Sequence, residues 1–525
     1  MSERSESGGV GGRPPTKNTT ERSDAGGVGG RPPTKNTTER SESGGVGGRP
    51  PTKNTTERSG SEGVGEAGVG GGRADGDPAE NDGAGMRRPR VAAAVAAGVL
   101  FAAVAAVLAL TTPWNPLPGH VPGGHVKADP ALDFSPAEIA RSRAFDSAVN
   151  PPAYAGLLVG LAVVLALGFT PLGARLIGRV TARTRRRPLK IALAAVVLIT
   201  VLRLAGLPFD IWHESVLRRY GLSTQSWSAW LVDQLKSLGV SWVIYTVALL
   251  LLYAVVRRFP RYWWTGAAAG GFALVVFVSF IYPIAVEPVF NKFHSLPQGQ
   301  LRTDLLAMAQ RDGVPVKDVL VADASRRTTS LNAYVSGFGS TRRIVLYDTL
   351  LKSPRPRIES IVGHELGHAK RNDVLWGTLV GALGVAGALC LLYLLMTSPR
   401  LLRRAGVDPG GPPGDASRGR AAADPRTVAL VLALVAAGTQ VSAPVQNLVS
   451  RHIEARADAH ALQLTRDPAT FVSMQHELSV RNISDLSPDA AERVLWMTHP
   501  AGPDRIAMAR DWARMNRVPV PPPLR

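Results

Sequence analysis

Seven apolar runs, separated by charged or Gly/Pro-rich stretches, constrain this chain more than any other feature. They are Val91–Leu110, Ala153–Leu172, Ile191–Leu207, Val240–Val256, Gly266–Val286, Val374–Met396 and Thr427–Leu448. Each approaches the roughly 20 residues that a helix needs to cross the hydrocarbon of a bilayer. Lipid offers no partner to backbone N–H and C=O groups, so such runs must bond internally as helices. The expected fold is therefore mainly α, a polytopic membrane bundle of about seven spans. Arg203 lies inside the third run, where it must face a polar interior or snorkel, and the seventh run carries Gln440 and Pro444.

Charge fits this picture. The chain has 525 residues, with 60 Lys and Arg against 41 Asp and Glu, a formal +19. The basic residues sit in short clusters between apolar runs, as in membrane-protein loops, rather than in a stripe with interleaved aromatics. Nucleic acid is thus not an expected partner. The single cysteine, Cys390, excludes an intrachain disulfide and a cysteine-rich zinc site, and it reads as core.

Residues 1–90 form a Gly/Pro-rich tail. Arg4–Glu21, Arg22–Glu39 and Arg40–Glu57 are three near-identical 18-residue repeats with one valine each. Too little apolar surface is available to offset the entropy of ordering, so the tail reads as a disordered linker. The first apolar run starts only at Val91, so no signal peptide is expected at the N-terminus. Five spans are expected over 91–290. In the non-membrane stretch 291–373, a helix is expected near Leu301–Arg311, then strands at Val316–Val321, Leu331–Ser336 and Arg343–Tyr347, with Gly337 and Gly339 marking a turn. Spans six and seven occupy 374–449 with a loose loop over 397–426, and 450–525 is helical apart from a turn near Asp485–Asp489.

Residues 364–368 read His-Glu-Leu-Gly-His. On a helix the imidazoles of His364 and His368 project from one face, a spacing that lets two neutral nitrogens bind one zinc. Glu365 then stands beside the site to accept a proton from water. A catalytic zinc needs a third protein ligand, and the extended form of this motif is absent because Arg371 and Val374 stand at its positions. Candidates lie in Arg451–His460. Glu454 and Asp458 share a helix face, a spacing that suits a ligand together with a carboxylate orienting a ligating histidine. His452 and His460 read as structural or exposed.

In this order, HELGH, a membrane hairpin and RxxExxAD resemble the type-1 CAAX prenyl protease family of integral-membrane zinc endopeptidases, with bacterial heat-shock membrane metalloproteases as more distant relatives. Tyr282-Pro283 through Phe293, Asn332-Ala333-Tyr334 with Arg343–Leu351, Tyr220–Gln225 with Asp233–Lys236, and Thr498-His499-Pro500 with Asp504-Arg505-Ile506 also resemble family segments. The resemblance spans about residues 90–515. It implies an inserted α+β zincin-like catalytic domain holding one zinc per chain through His364, His368 and Glu454. Glu365 is then the general base and Asp458 the carboxylate behind a ligand. Asn332, Ala333 and Tyr334 lie along the substrate, and His499 and Arg505 approach the scissile carbonyl. Two positions depart from the eukaryotic pattern: Ala369 replaces an aromatic residue and Asp373 a histidine.

The expected partners are a lipid bilayer and a peptide or membrane-protein substrate. The resemblance implies a multi-pass protein of the cell membrane with a cytosolic catalytic domain, whereas Lys and Arg counting places the N-terminus in the cytoplasm and residues 291–370 outside. The Ala/Arg/Gly-rich composition suggests a high-GC bacterium, so membrane peptide maturation or quality control fits better than cleavage of prenylated proteins. A catalytically silent scaffold and a transporter are the alternatives. The intact Glu365 argues against the first, and the lack of inverted repeats or acidic intramembrane relays against the second.

Overall fold

A computed structural model describes residues 78–337, 339–409 and 417–525. The three repeats lie outside the described residues. The principal helices are α1 (Pro78–Thr111), α2 (Pro136–Phe169), α3 (Arg187–Arg219), α4 (Trp227–Arg258), α5 (Trp263–Ile281), α6 (Gln300–Arg311), α7 (Arg355–Arg371), α8 (Asp373–Met396), α9 (Val428–Thr465), α10 (Pro468–Arg481) and α11 (Gly502–Met515). Seven are long and apolar enough to cross a membrane: α1 from Met86, α2, α3, α4, α5 continued to Phe290, α8, and α9 with its preceding turn.

Several of these helices outrun the apolar runs that announce them. Helix α2 starts at Pro136 rather than near Ala153, and α9 continues to Thr465 rather than ending near Leu448. Hydropathy reports only the part of a helix that lies in lipid. Backbone bonding continues wherever the next turn finds a protein neighbour, which a hydropathy window cannot see. The α2 start is explicit in local chemistry, because Ser135 and Glu138 form a reciprocal capping box. Arg203 meets Asp210 at 2.8 Å and also bonds Gln234 on α4, so it faces a polar partner within the bundle. Cys390 is buried, as expected.

Between α5 and α7 the chain forms a four-stranded sheet of order β1-β2-β4-β3, with β1 Phe293–Ser295, β2 Asp318–Ala322, β3 Ala333–Ser336 and β4 Arg343–Tyr347. Strand β2 runs parallel to β4, and β3 antiparallel to it from the edge. Ile344, Val345 and Leu346 are all buried, as suits a central strand covered on both faces. Strand β1 was not foreseen, since three residues without apolar alternation carry no strand signal. The 397–426 stretch also departs from a plain loop, with short helices at Pro399–Arg404 and Ser417–Ala422.

One core joins the sheet to α7, α9, α10 and α11 through Leu346, Ile358, Val362, Leu462, Phe471 and Trp512. A second fills the end of the bundle away from the sheet. There Tyr253 on α4 bonds Thr427 at 2.6 Å, and the Tyr393 hydroxyl on α8 donates to the Arg261 carbonyl at 2.8 Å. Helices α2 and α9 cross closely at Gly168, where a Cβ would overlap Ala433 and approach the Ala429 carbonyl oxygen to 2.8 Å. Gly168→Ala is accordingly expected to cost about 1–3 kcal/mol and lower the thermal midpoint in detergent. Gly160→Ala, which meets open space, should leave it unchanged.

Candidate metal centre

Helix α7 carries the HELGH motif and ends abruptly. Asn372 adopts the left-handed conformation with φ 56°, a geometry asparagine tolerates at a helix end, and α8 begins at the next residue. Two glycines set how near α9 comes to α7. A Cβ at Gly367 would stand 3.0 Å from the His460 Cβ, and one at Gly363 would stand 3.5 Å from the Ala461 Cα.

That approach brings three ligating side chains together. The Nε2 atoms of His364 and His368 lie 3.1 Å apart. Glu454, projecting from α9, places Oε2 3.1 Å from His364 Nε2 and Oε1 3.5 Å from His368 Nε2. One ligand atom from each of the three falls within 4.8 Å of the others, so a single ion could be held among them.

Behind each imidazole stands a carboxylate. His364 Nδ1 meets Asp458 Oδ1 at 2.8 Å, and Asp458 is fully buried and ion-paired with Arg505. His368 Nδ1 meets Asp373 Oδ2 at 2.9 Å, and Asp373 is paired with Arg456. A proton held on Nδ1 by a carboxylate leaves the Nε2 lone pair free for a metal, which is the tautomer a ligand needs. The electrostatics point the same way. Burial pushes the His368 imidazole down, but Asp373 and Glu454 outweigh it and hold it up to about 10. The carboxylates thus create a potential that favours positive charge between the two rings. Burial, with Glu454 adding to it, pushes the neighbouring Glu365 carboxyl above the usual carboxylate range. Two imidazoles and a carboxylate with free lone pairs form a donor set that suits zinc.

His499 reaches the same cluster, with Nε2 3.2 Å from Glu454 Oε2 and a side chain 57% exposed. Arg505 is largely buried behind the cluster. Its Nε donates to Asp458 Oδ2 at 2.7 Å, so its guanidinium sits on the Nδ1 side of His364. Asn332, Ala333 and Tyr334 come to the sheet edge, where Ala333 pairs with Leu346 and β3 packs against α7. Burial pushes the Tyr334 phenol up.

Sequence reasoning missed Asp373 and Arg456. Asp373 was visible only as a departure from a family pattern, since its reach to His368 depends on the left-handed turn at Asn372. His460 is not idle either. Its Nε2 meets Asp312 at 2.9 Å, and Asp312 also accepts from Lys370 Nζ at 2.7 Å, which ties α6, α7 and α9 together.

Comparisons with known proteins agree with this geometry. The profile of peptidase family M48 matches residues 295–513, and that of the CAAX prenyl protease N-terminal region, five membrane helices, matches residues 154–292. An uncharacterized metalloprotease, YhfN, of Bacillus subtilis (strain 168) is 30% identical over 73% of this chain and 88% of its own length. A CAAX prenyl protease 1 homolog of Oryza sativa subsp. japonica is 29% identical over 59% of this chain and 70% of its own. The crystal structure of S. mikatae Ste24p superposes with TM-score 0.61 at 21% identity, covering 80% of this chain and 98% of that one, and so shares the fold.

Asp373→Asn should keep the side-chain shape but weaken the hold on His368. A drop of about 10–100-fold in metal affinity is expected, read by competition with a zinc indicator.

Proposed function

From the premise that the chain belongs to peptidase family M48 and is a membrane metalloprotease, we propose that it hydrolyses peptide bonds using one zinc ion held by His364, His368 and Glu454. Glu365 acts as its general base. The observation that carries this reading is the convergence of His364 Nε2, His368 Nε2 and Glu454 on one point while both Nδ1 atoms are engaged by carboxylates.

When bound, zinc supplies Lewis acidity that polarises a peptide carbonyl and makes water easier to deprotonate. The remaining work falls to side chains. Glu365, one residue from His364, takes a proton from the attacking water and passes it to the departing amine. Its raised pKa suits both steps, because a carboxylate that is too weak a base cannot take the proton. His499, on the open side of Glu454, is placed to donate to the oxygen on which negative charge develops. Asp458 holds His364, and Arg505 acts through Asp458, neutralising a carboxylate that would otherwise be buried unpaired. No covalent intermediate is required.

The edge strand β3 supplies the peptide platform. An extended substrate can add to its free side by main-chain hydrogen bonds, running past Asn332, Ala333 and Tyr334 beside α7. Residues 291–373 and 450–525 together form this catalytic part, and 91–290 with 374–449 the membrane part. The substrates are peptides or membrane proteins undergoing maturation or quality control.

Glu365→Gln should retain one zinc per chain yet lose about 10²–10⁴-fold in turnover on a quenched peptide in detergent. Near-wild-type turnover would overturn the general-base assignment. His364→Ala, His368→Ala and Glu454→Ala should each lower zinc content by elemental analysis.

His499→Ala should retain zinc and lose about 10²–10³ in turnover, the loss appearing in kcat more than in KM because the oxyanion exists only near the transition state.

A further inference from the structure

We infer that the catalytic end of the bundle lies on the outer face of the membrane, so that the substrates are extracytoplasmic segments of membrane or exported polypeptides. The word substrate rests on the protease reading above, whereas the orientation stands on charge and geometry alone. It opposes the cytosolic placement that the family resemblance implies.

The structure fixes which helix ends lie together. Arg90 near the start of α1 bonds the Leu394 carbonyl at 3.0 Å near the end of α8. The Tyr393 hydroxyl reaches the Arg261 carbonyl just before α5, and Tyr253 on α4 reaches Thr427 at the start of α9. Gly173, just after α2, abuts Ala429. The other end is equally tied. Arg327, after the sheet's second strand, pairs with Asp233 near the start of α4 at 2.7 Å, and Asn447 on α9 donates to the Val494 carbonyl at 3.2 Å. With seven spans assigned, the side of every loop follows from the side of any one.

The two ends then differ sharply in charge. The connections away from the metal centre are 86–90, 170–190, 257–262 and 397–427, and they hold 19 Lys and Arg against 3 Asp. The short connections on the catalytic side, 112–135 and 218–226, hold 3 Lys and Arg against 2 Asp. Short loops rich in Lys and Arg stay in the cytoplasm, while larger segments such as 291–372 cross largely regardless of their charge. The first span reinforces the bias, since Arg87, Arg88 and Arg90 precede it and the next basic residue after it is Lys127.

Pairing separates the ends further. Many catalytic-side cations are spent on internal carboxylates, among them Arg218 on Glu214 at 2.8 Å, Arg302 on Asp318 at 2.6 Å, and Arg510 on Asp133 at 2.5 Å. At the other end, Arg186, Arg187 and Arg257 line a cleft of about 710 Å³ with Pro188, Leu189 and Leu250, and none of the three has a carboxylate partner among the described residues. Unpaired guanidinium groups around an apolar floor, at the ends of two membrane helices, suit the anionic headgroups of a cytoplasmic leaflet.

The test uses the full-length chain in intact cells. Cys390→Ala removes the single native thiol. Single cysteines are then introduced at exposed positions: His120→Cys and Gln298→Cys on the catalytic side, Ala182→Cys and Tyr262→Cys on the other. A membrane-impermeant maleimide should label the first two in intact cells. It should label the second two at least tenfold more after permeabilisation. The reverse pattern, or equal labelling of both ends in intact cells, overturns the orientation. Turnover measured on the same membranes keeps the two ideas apart, because correct labelling with no cleavage supports the orientation and counts against the protease reading.

Discussion

The approach of α7 to α9 is the contact on which the rest of the catalytic region depends. Both helices are held by a common core of Ile358, Val362, Leu462 and Phe471, and glycine at 363 and 367 removes the side chains that would hold them apart. Only at that separation can Glu454 reach two imidazoles on the facing helix while Asp458, one turn later, reaches the far nitrogen of one of them. The i, i+4 periodicity of two helices is thereby turned into a three-ligand cluster. A wider crossing would leave four charged or polar groups facing each other across a gap, each keeping its desolvation cost without its partner.

Charge inside the cluster is balanced in two parallel chains. His364, Asp458 and Arg505 form one, and His368, Asp373 and Arg456 the other. Each arginine arrives from a different element: Arg505 from α11, Arg456 from α9 itself. A buried carboxylate that orients a ligand must be neutralised or it will take up a proton and lose that function. The arginines prevent this. They also tie α11 to the metal helix, so residues near the C-terminus contribute to the geometry of a motif more than a hundred positions earlier.

How much of this was legible beforehand follows from the range of each interaction. HELGH and the Glu454/Asp458 pair are local helical spacings, so they could be singled out directly, although the choice of Glu454 among the residues of Arg451–His460 comes from the family resemblance; the membrane runs are equally local. Asp373 could not be assigned a partner, because its reach to His368 is created by a left-handed turn at Asn372 that no helix periodicity announces. The contact of Arg505 with Asp458 could not be read from the sequence, because it is made by the packing of α11 against its neighbours. Strand β1 exists because its backbone finds β2, not because its residues prefer a strand. What escaped the sequence was long-range pairing and backbone handedness.

The placement of the ligands along their helices limits what the enzyme can hold. His368 precedes the apolar run that starts at Val374 by six residues, and Glu454 follows the run that ends at Leu448 by six. Along α9, at about 1.5 Å of rise per residue, Glu454 stands on the order of 9 Å beyond the lipid-matched segment, and His368, whose Nε2 lies 3.5 Å from Glu454 Oε1, shares that depth. That is headgroup depth rather than open solvent. Glu454 thus sits on a direct continuation of membrane helix α9, and α7 is joined to membrane helix α8 through the single residue Asn372, so no long linker lifts the site away from the surface. On the proposed zinc reading, the scissile bond comes to that depth. A folded soluble domain would need local unfolding to present one there, whereas an extended segment next to a membrane anchor is already at the right height and in the conformation that the proposed pairing with the β3 edge requires.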